Sequence, residues 1–384
     1  MLISQIGLAG LRGVTPEGGW SNELQPDDCV HTIVAVVTEE GFVGWGSVFT
    51  TDELVRASLS VLKPLLIGEN ALEPERVTEK LHQNTFWLGR GGAITHTIGG
   101  INIALWDILG KTTGQPVGRL LGGCYRDRVR PYASLLMREP ERMGDELRPL
   151  KELGFRAFKI GWGPFGRVSH ANDEAIVRAA RDAIGPECLL MVDAGASNAF
   201  WPHDYKWALR TADMLAEYNV AWFEEPLRPD AIDDYVALRR ASPVPISGGE
   251  VLTRRQSFQT WLARGAFDIV QPDATKAGGL SEQRRIGWMA EEHGARLIPH
   301  GWNTAVGLAA DLHIAAALPH TDVVEYLTGS SFVDELVTGG WSLDKDGMLA
   351  IPDKPGLGIE MDLDALRKFA GTGFDIPNLN EACP

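Results

Sequence analysis

Residues 154–166, GFRAFKIGWGPFG, read as the end of a helix, a short strand and then a loop crowded with glycine and aromatic rings. Lys159 closes the apolar run Ala157-Phe158, and Gly161 stands two places on, where the alternation of a strand points a second side chain the same way. The fold follows from how often this unit recurs. From Val129 onward, short apolar strands alternate with helices of about 10 to 15 residues, the pattern of parallel sheets built through right-handed crossovers. Eight strands are predicted: Pro131 to Leu136, Ala157 to Gly161, Leu189 to Gly195, Val220 to Pro226, Pro245 to Glu250, Phe267 to Asp273, Arg296 to Gly301 and Asp322 to Leu327. Eight such units in succession predict a closed α/β barrel of the TIM type.

Polar residues close nearly all of these strands. Lys159, Asp193, Glu224, Glu250, Asp273, His300 and Glu325 end the second to the eighth, each separated from the next by one strand-helix unit. In a parallel barrel those ends converge on one face, where catalytic groups of the fold are placed. Asp193, Glu224 and Glu250, on three adjacent strands, repel one another unless a cation lies between them, and hard carboxylate oxygens select Mg²⁺. Glu225 competes with Glu224, but neighbours on a strand face opposite ways and only one can enter the mouth. His300 follows Asp273 by one strand; a carboxylate holding one ring nitrogen fixes the tautomer and leaves the other free to take a proton.

Upstream the rhythm differs. Met1 to Leu11 and Cys29 to Val37 read as strands, and Glu39-Glu40-Gly41 turns the chain into a return strand, Phe42 to Val48. Helical periods follow over Glu53 to Leu66, Glu73 to Leu88 and Ile94 to Leu109. The expected organisation is an α+β capping domain over residues 1–125, a barrel over 126–348 and a C-terminal segment, 349–384, that adds no strand-helix unit.

Composition limits the partners. The 384 residues carry a formal net charge of −15, which repels a polyanion, so no nucleic-acid partner is expected. The longest apolar runs, such as Val30 to Val37, fall short of the roughly 20 residues of a membrane span, and no secretory signal opens the chain. Cys29, Cys124, Cys188 and Cys383 are scattered without a CxxC pair, which predicts a reducing cytoplasm and neither a disulfide framework nor a thiolate zinc site. Twelve tryptophans make a homo-oligomer an expectation.

The stretches MVDAG, FEEPL, SGGE, QPDATKAGG, PHGWN and VVEYL, in this order, resemble the enolase superfamily, specifically its mandelate racemase subgroup. The similarity runs from INIALWDILGK to KPGLGIE and covers nearly the whole chain. It implies a modified (β/α)7β-like barrel, a C-terminal segment that returns to the capping domain, and removal of the proton α to a substrate carboxylate. A base and Mg²⁺ stabilising an ene-diolate are the general device of such sites. By the resemblance Asp193, Glu224 and Glu250 are metal ligands, His300 is the base activated by Asp273, Lys159 lends its charge to the substrate carboxylate, and Glu325 hydrogen-bonds that carboxylate as a proton donor.

Members of the family commonly carry Lys-x-Lys where this chain has Lys159 and Gly161. Two-base racemisation needs a proton acceptor on each side of the carbon, and glycine leaves one side empty. A single histidine can take a proton and return it to a departing hydroxide on the same face, so dehydration of a sugar acid to a 2-keto-3-deoxy acid is expected. An epimerase or cycloisomerase is the alternative, and a non-catalytic binding protein on the same fold is a second. Trp20 in the loop Thr15 to Asn22, together with Trp162, Arg167 and Asn303, are the candidate substrate contacts; the segment around Thr50-Thr51 is a second candidate lid.

Overall fold

The computed structural model describes residues 1–15, 24–195 and 204–377. The chain opens with an antiparallel meander of β1 (Ile3–Leu11), β2 (His31–Thr38) and β3 (Val43–Val48), followed by α1 (Asp52–Leu66), α2 (Pro74–Thr85) and α3 (Gly92–Thr113). Asp52 and Glu53 in the first turn of α1 and Lys63 in its last complement the helix dipole. The sequence VGWGSV of β3 has glycine at every second position for a reason of space. A Cβ at Gly44 would lie 2.0 Å from the Ala104 carbonyl oxygen of α3, and one at Gly46 would lie 1.9 Å from that of Gly100. One face of β3 is bare so that the helix backbone can press against it.

Eight parallel strands then follow: β4 (Arg128–Leu136), β5 (Ala157–Gly161), β6 (Leu189–Asp193), β7 (Phe223–Glu224), β8 (Ile246–Gly248), β9 (Ile269–Val270), β10 (Arg296–Leu297) and β11 (Val323–Leu327). Each pairs with the next from β4 to β10, and β11 returns to pair in parallel with β4, as in a (β/α)7β barrel. Among the described residues no ladder joins β10 to β11. The Thr321 hydroxyl donating to the Leu297 carbonyl at 2.8 Å spans that seam. Several strands are shorter than their apolar runs predict because pairing continues as single bonds beyond the regular ladder. Ala221 N–H donates to Leu190, and Glu225 N–H donates to Ser247. Tyr132, Met191, Trp222, Ile269 and Ile298 fill the barrel, with the Tyr132 and Trp222 rings edge to face.

After the barrel, β12 (Leu349–Ala350) pairs antiparallel with β4 and β13 (Phe374–Asp375) pairs antiparallel with β1, so the last strand lies beside the first. No helix among the described residues is long and apolar enough to cross a membrane.

One buried carboxylate ties three segments together. Asp107 of α3 accepts the Trp45 N–H of β3 at 3.0 Å, the Leu357 N–H of the C-terminal segment at 2.8 Å and the Lys111 ammonium at 2.6 Å. Gly356, at φ +75°, is required beside it, since a Cβ there would lie 2.2 Å from the carboxylate. Asp107→Ala leaves two backbone donors and an ammonium without their acceptor, and is expected to cost about 3 kcal/mol in urea unfolding; an unchanged midpoint would exclude this knot.

Candidate active site

Of the seven polar side chains that close β5 to β11, Lys159, Asp193, Glu224, Asp273, His300 and Glu325 are buried and Glu250 is partly exposed. Lys159 is the hub on one side. Its ammonium lies 2.5 Å from Glu224, 3.0 Å from Glu325 and 3.4 Å from Asp193. Burial alone would push that ammonium down, but Glu224 and then Glu325 hold it well above its ordinary value. Burial works to raise the Glu325 carboxyl too, yet the Lys159 ammonium and, among others, the Gly301 N–H at 2.7 Å bring it down to about 2. Glu325 thus accepts from Lys159 and from the Gly301 backbone in this arrangement, the ammonium favouring its charged form.

On the other side stands the His300–Asp273 dyad. His300 Nδ1 donates to Asp273 Oδ2 at 2.8 Å, which turns Nε2 toward Glu250, 3.2 Å away. The second Asp273 oxygen accepts from the Thr275 backbone at 2.7 Å and hydroxyl at 2.6 Å, because Asp273 caps the short helix Ala274–Ala277. Burial alone would push the imidazole down, but Glu250 and Asp273 outweigh both that and the Lys276 ammonium, and its pKa is raised.

Asp193, Glu224 and Glu250 are the residues that could hold a cation. Burial, and then the charge of Glu224, push the Asp193 carboxyl well above the usual carboxylate range. That is the electrostatic deficit a divalent ion fills, and an all-oxygen set of this charge fits Mg²⁺. In the described arrangement the three do not close round one point. Glu224 is turned to Lys159, and Glu250 faces His300 and Lys276. Glu225 is buried as well, its Oε1 accepting the Gly249 N–H at 3.3 Å.

Gly161 has no room for a side chain as the backbone stands, since a Cβ would lie 2.9 Å from that of Asp193. Trp162 follows in the left-handed region, φ +61°, with its indole over Gly195, where a Cβ would lie 2.5 Å from the ring. Trp162 lines the cavity together with Phe49, Lys276 and Trp302, whereas Arg167 is exposed and is not among the described lining residues. Asn303 lies behind the dyad. Its amide nitrogen approaches Asp273 at 3.4 Å and Thr275 at 3.3 Å, while its oxygen accepts from Ser47 of β3 at 3.0 Å. Trp20, and the loop that carries it beyond Thr15, lie outside the described residues.

Sequence reasoning missed three side chains. Lys276 was hidden inside QPDATKAGG, three residues past Asp273, because a lysine in a helical turn reads as surface. Its ammonium is instead buried, 4.1 Å from the Phe49 ring centroid and 3.6 Å from Glu250. Phe49 itself comes from the end of β3, next to the Thr50-Thr51 segment. Trp222, two residues before Glu224 and so on the same strand face, donates its indole N–H to Glu224 Oε2 at 3.0 Å.

The fold and site have known counterparts. Residues 142–365 match the enolase C-terminal domain-like family, and residues 27–122 match the mandelate racemase/muconate lactonizing enzyme N-terminal domain. D-galactarolactone cycloisomerase of Agrobacterium fabrum is 34% identical over 364 residues, 91% of this chain and 93% of that protein. Arabinonate dehydratase of Saccharolobus solfataricus is 32% identical, covering 84% of this chain and 86% of its own. The crystal structure of 3,6-anhydro-D-galactonate cycloisomerase from Zobellia galactanivorans superposes with a TM-score of 0.86 at 30% identity, covering 96% of this chain and 99% of that one.

Removing the indole donor from Glu224 tests whether that carboxylate binds metal. Trp222→Phe is expected to weaken Mg²⁺ binding about 10- to 100-fold by titration calorimetry with the circular dichroism spectrum unchanged; unaltered affinity would separate Glu224 from the ion.

Proposed function

The chain belongs to the mandelate racemase/muconate lactonizing enzyme family of the enolase superfamily, and from that premise we propose that it is a hydro-lyase converting a sugar acid to its 2-keto-3-deoxy acid. The observation that carries this reading is the pairing of one oriented base with one missing base. His300 is held by Asp273 with Nε2 toward the acidic cluster, and the strand end that could carry a second base has Gly161, packed against Asp193.

Mg²⁺ is general in the superfamily. Held by Asp193, Glu224 and Glu250, the ion would supply the charge that makes a proton α to a carboxylate removable. The remaining work falls to the chain's own groups. Lys159 offers an ammonium to the substrate carboxylate once its bonds to Glu224 and Glu325 are exchanged for that contact. Asp273 keeps the His300 proton on Nδ1, so Nε2 can accept the α proton. The hydroxyl on the neighbouring carbon leaves from the same flank, taking a proton from that side. Trp162 closes the space beside Gly161.

A cycloisomerase is the second reading, favoured because two of the similar proteins are named for that reaction on galactaro- and anhydrogalactono- compounds. Mass distinguishes them, since dehydration loses one water and isomerisation loses none. A screen of aldonic and aldaric acids with a semicarbazide readout for the 2-keto product tests the hydro-lyase reading directly.

Dialysis against EDTA is expected to abolish turnover of the acid found in that screen and Mg²⁺ to restore it; indifference to the chelator would remove the metal from the scheme. His300→Asn is expected to lower both exchange of the α proton with deuterated water and loss of the hydroxyl by about 10²- to 10⁴-fold. Surviving exchange in that variant would reveal a different base.

A further inference from the structure

We infer that Lys276 is the acid that protonates the departing hydroxyl, a separate group from the base His300; this rests on the hydro-lyase reading above. Two observations place it there. The oxygens of the single Glu250 carboxylate face two different nitrogens, His300 Nε2 at 3.2 Å from Oε2 and Lys276 Nζ at 3.6 Å from Oε1. The two nitrogens are thus neighbours on one flank of the same cavity. A substrate whose α hydrogen meets Nε2 presents the hydroxyl of the next carbon one bond further along that flank, where Nζ lies. The second cavity lysine, Lys159, is directed instead at Glu224, Glu325 and Asp193.

The support of Lys276 is also that of the dyad. The short helix Ala274–Ala277 begins at Asp273, whose backbone carbonyl accepts the Lys276 N–H at 3.0 Å, so one turn of chain sets the orienting carboxylate and the ammonium together. Phe49 of the capping meander lies over the ammonium at 4.1 Å, and its ring is 6.5 Å from that of His300. An aromatic face holds a cation while leaving its other N–H bonds to point elsewhere.

The step balances. Nε2 takes the α proton, and the C–H electron pair becomes the double bond between the α and β carbons. The β C–O bond breaks with its pair on oxygen, Nζ gives that oxygen a proton, and water leaves. The resulting enol tautomerises to the 2-keto acid. His300 ends with one proton more and Lys276 with one fewer, and exchange with solvent resets both.

The test uses a leaving group that needs no acid. The full-length enzyme and Lys276→Met are compared on D-galactonate, D-arabinonate, D-xylonate and L-rhamnonate, and on the 3-deoxy-3-fluoro analogue of the acid turned over. For Lys276→Met, water loss is expected to fall about 100-fold or more. Its α-proton exchange in deuterated water and fluoride release stay near wild type. Parallel loss of exchange and fluoride release would overturn the assignment and leave Lys276 as a counter-ion to Glu250. Undiminished water loss would overturn it as well. Lys276→Gln, with thermal melting of both variants, guards against misfolding by keeping a polar side chain in place. A wild type that neither dehydrates nor exchanges any of these acids sinks the hydro-lyase reading itself, whereas an active wild type with an equally active Lys276→Met sinks the acid alone.

Discussion

A charge taken out of water must find an opposite charge, a proton or several hydrogen bonds, and this barrel gathers six buried ionisable groups and the partly exposed Glu250 at one end under that constraint. The solution is a division into two halves. Lys159 pairs with Glu224 and Glu325 and reaches Asp193, while His300 lies between Glu250 and Asp273. Asp193 is left worst provided for, and its carboxyl is pushed up by burial and by Glu224. The imbalance itself points to an added cation, since a structure built only for stability would replace such groups with well-packed apolar ones.

The cap is part of the same arrangement. Ser47 of β3 reaches the barrel through Asn303 and Thr304, and Asn303 in turn borders the Asp273 carboxylate. Phe49, two residues on, lies over Lys276 and beside His300. Asp107 fixes β3 to α3 and to the C-terminal return. The positions of Asp273, Lys276 and His300 therefore depend on a meander folded from the opposite end of the chain.

Much of this was legible because a strand end is a conspicuous place for a polar residue. Asp193, Glu224, Glu250 and His300 each interrupt an apolar run, and eight such runs in one rhythm leave few architectures open. Residues whose setting is created by tertiary contact were not legible. Lys276 looks like a helix-surface lysine until Phe49, distant in sequence, covers it. Asn303 stands in a loop next to His300, and only the bond to Ser47 shows that its amide faces the cap. The pairing of Glu325 with Lys159 is made across the barrel, and no local pattern encodes that distance. Strand lengths were overread because apolar stretches outlast the regular ladder.

The ammonium of Lys159 among three acidic side chains has one more consequence. One ammonium is shared by carboxylates of three other strands, so β5 is tied across the barrel to β6, β7 and β11 by a single side chain.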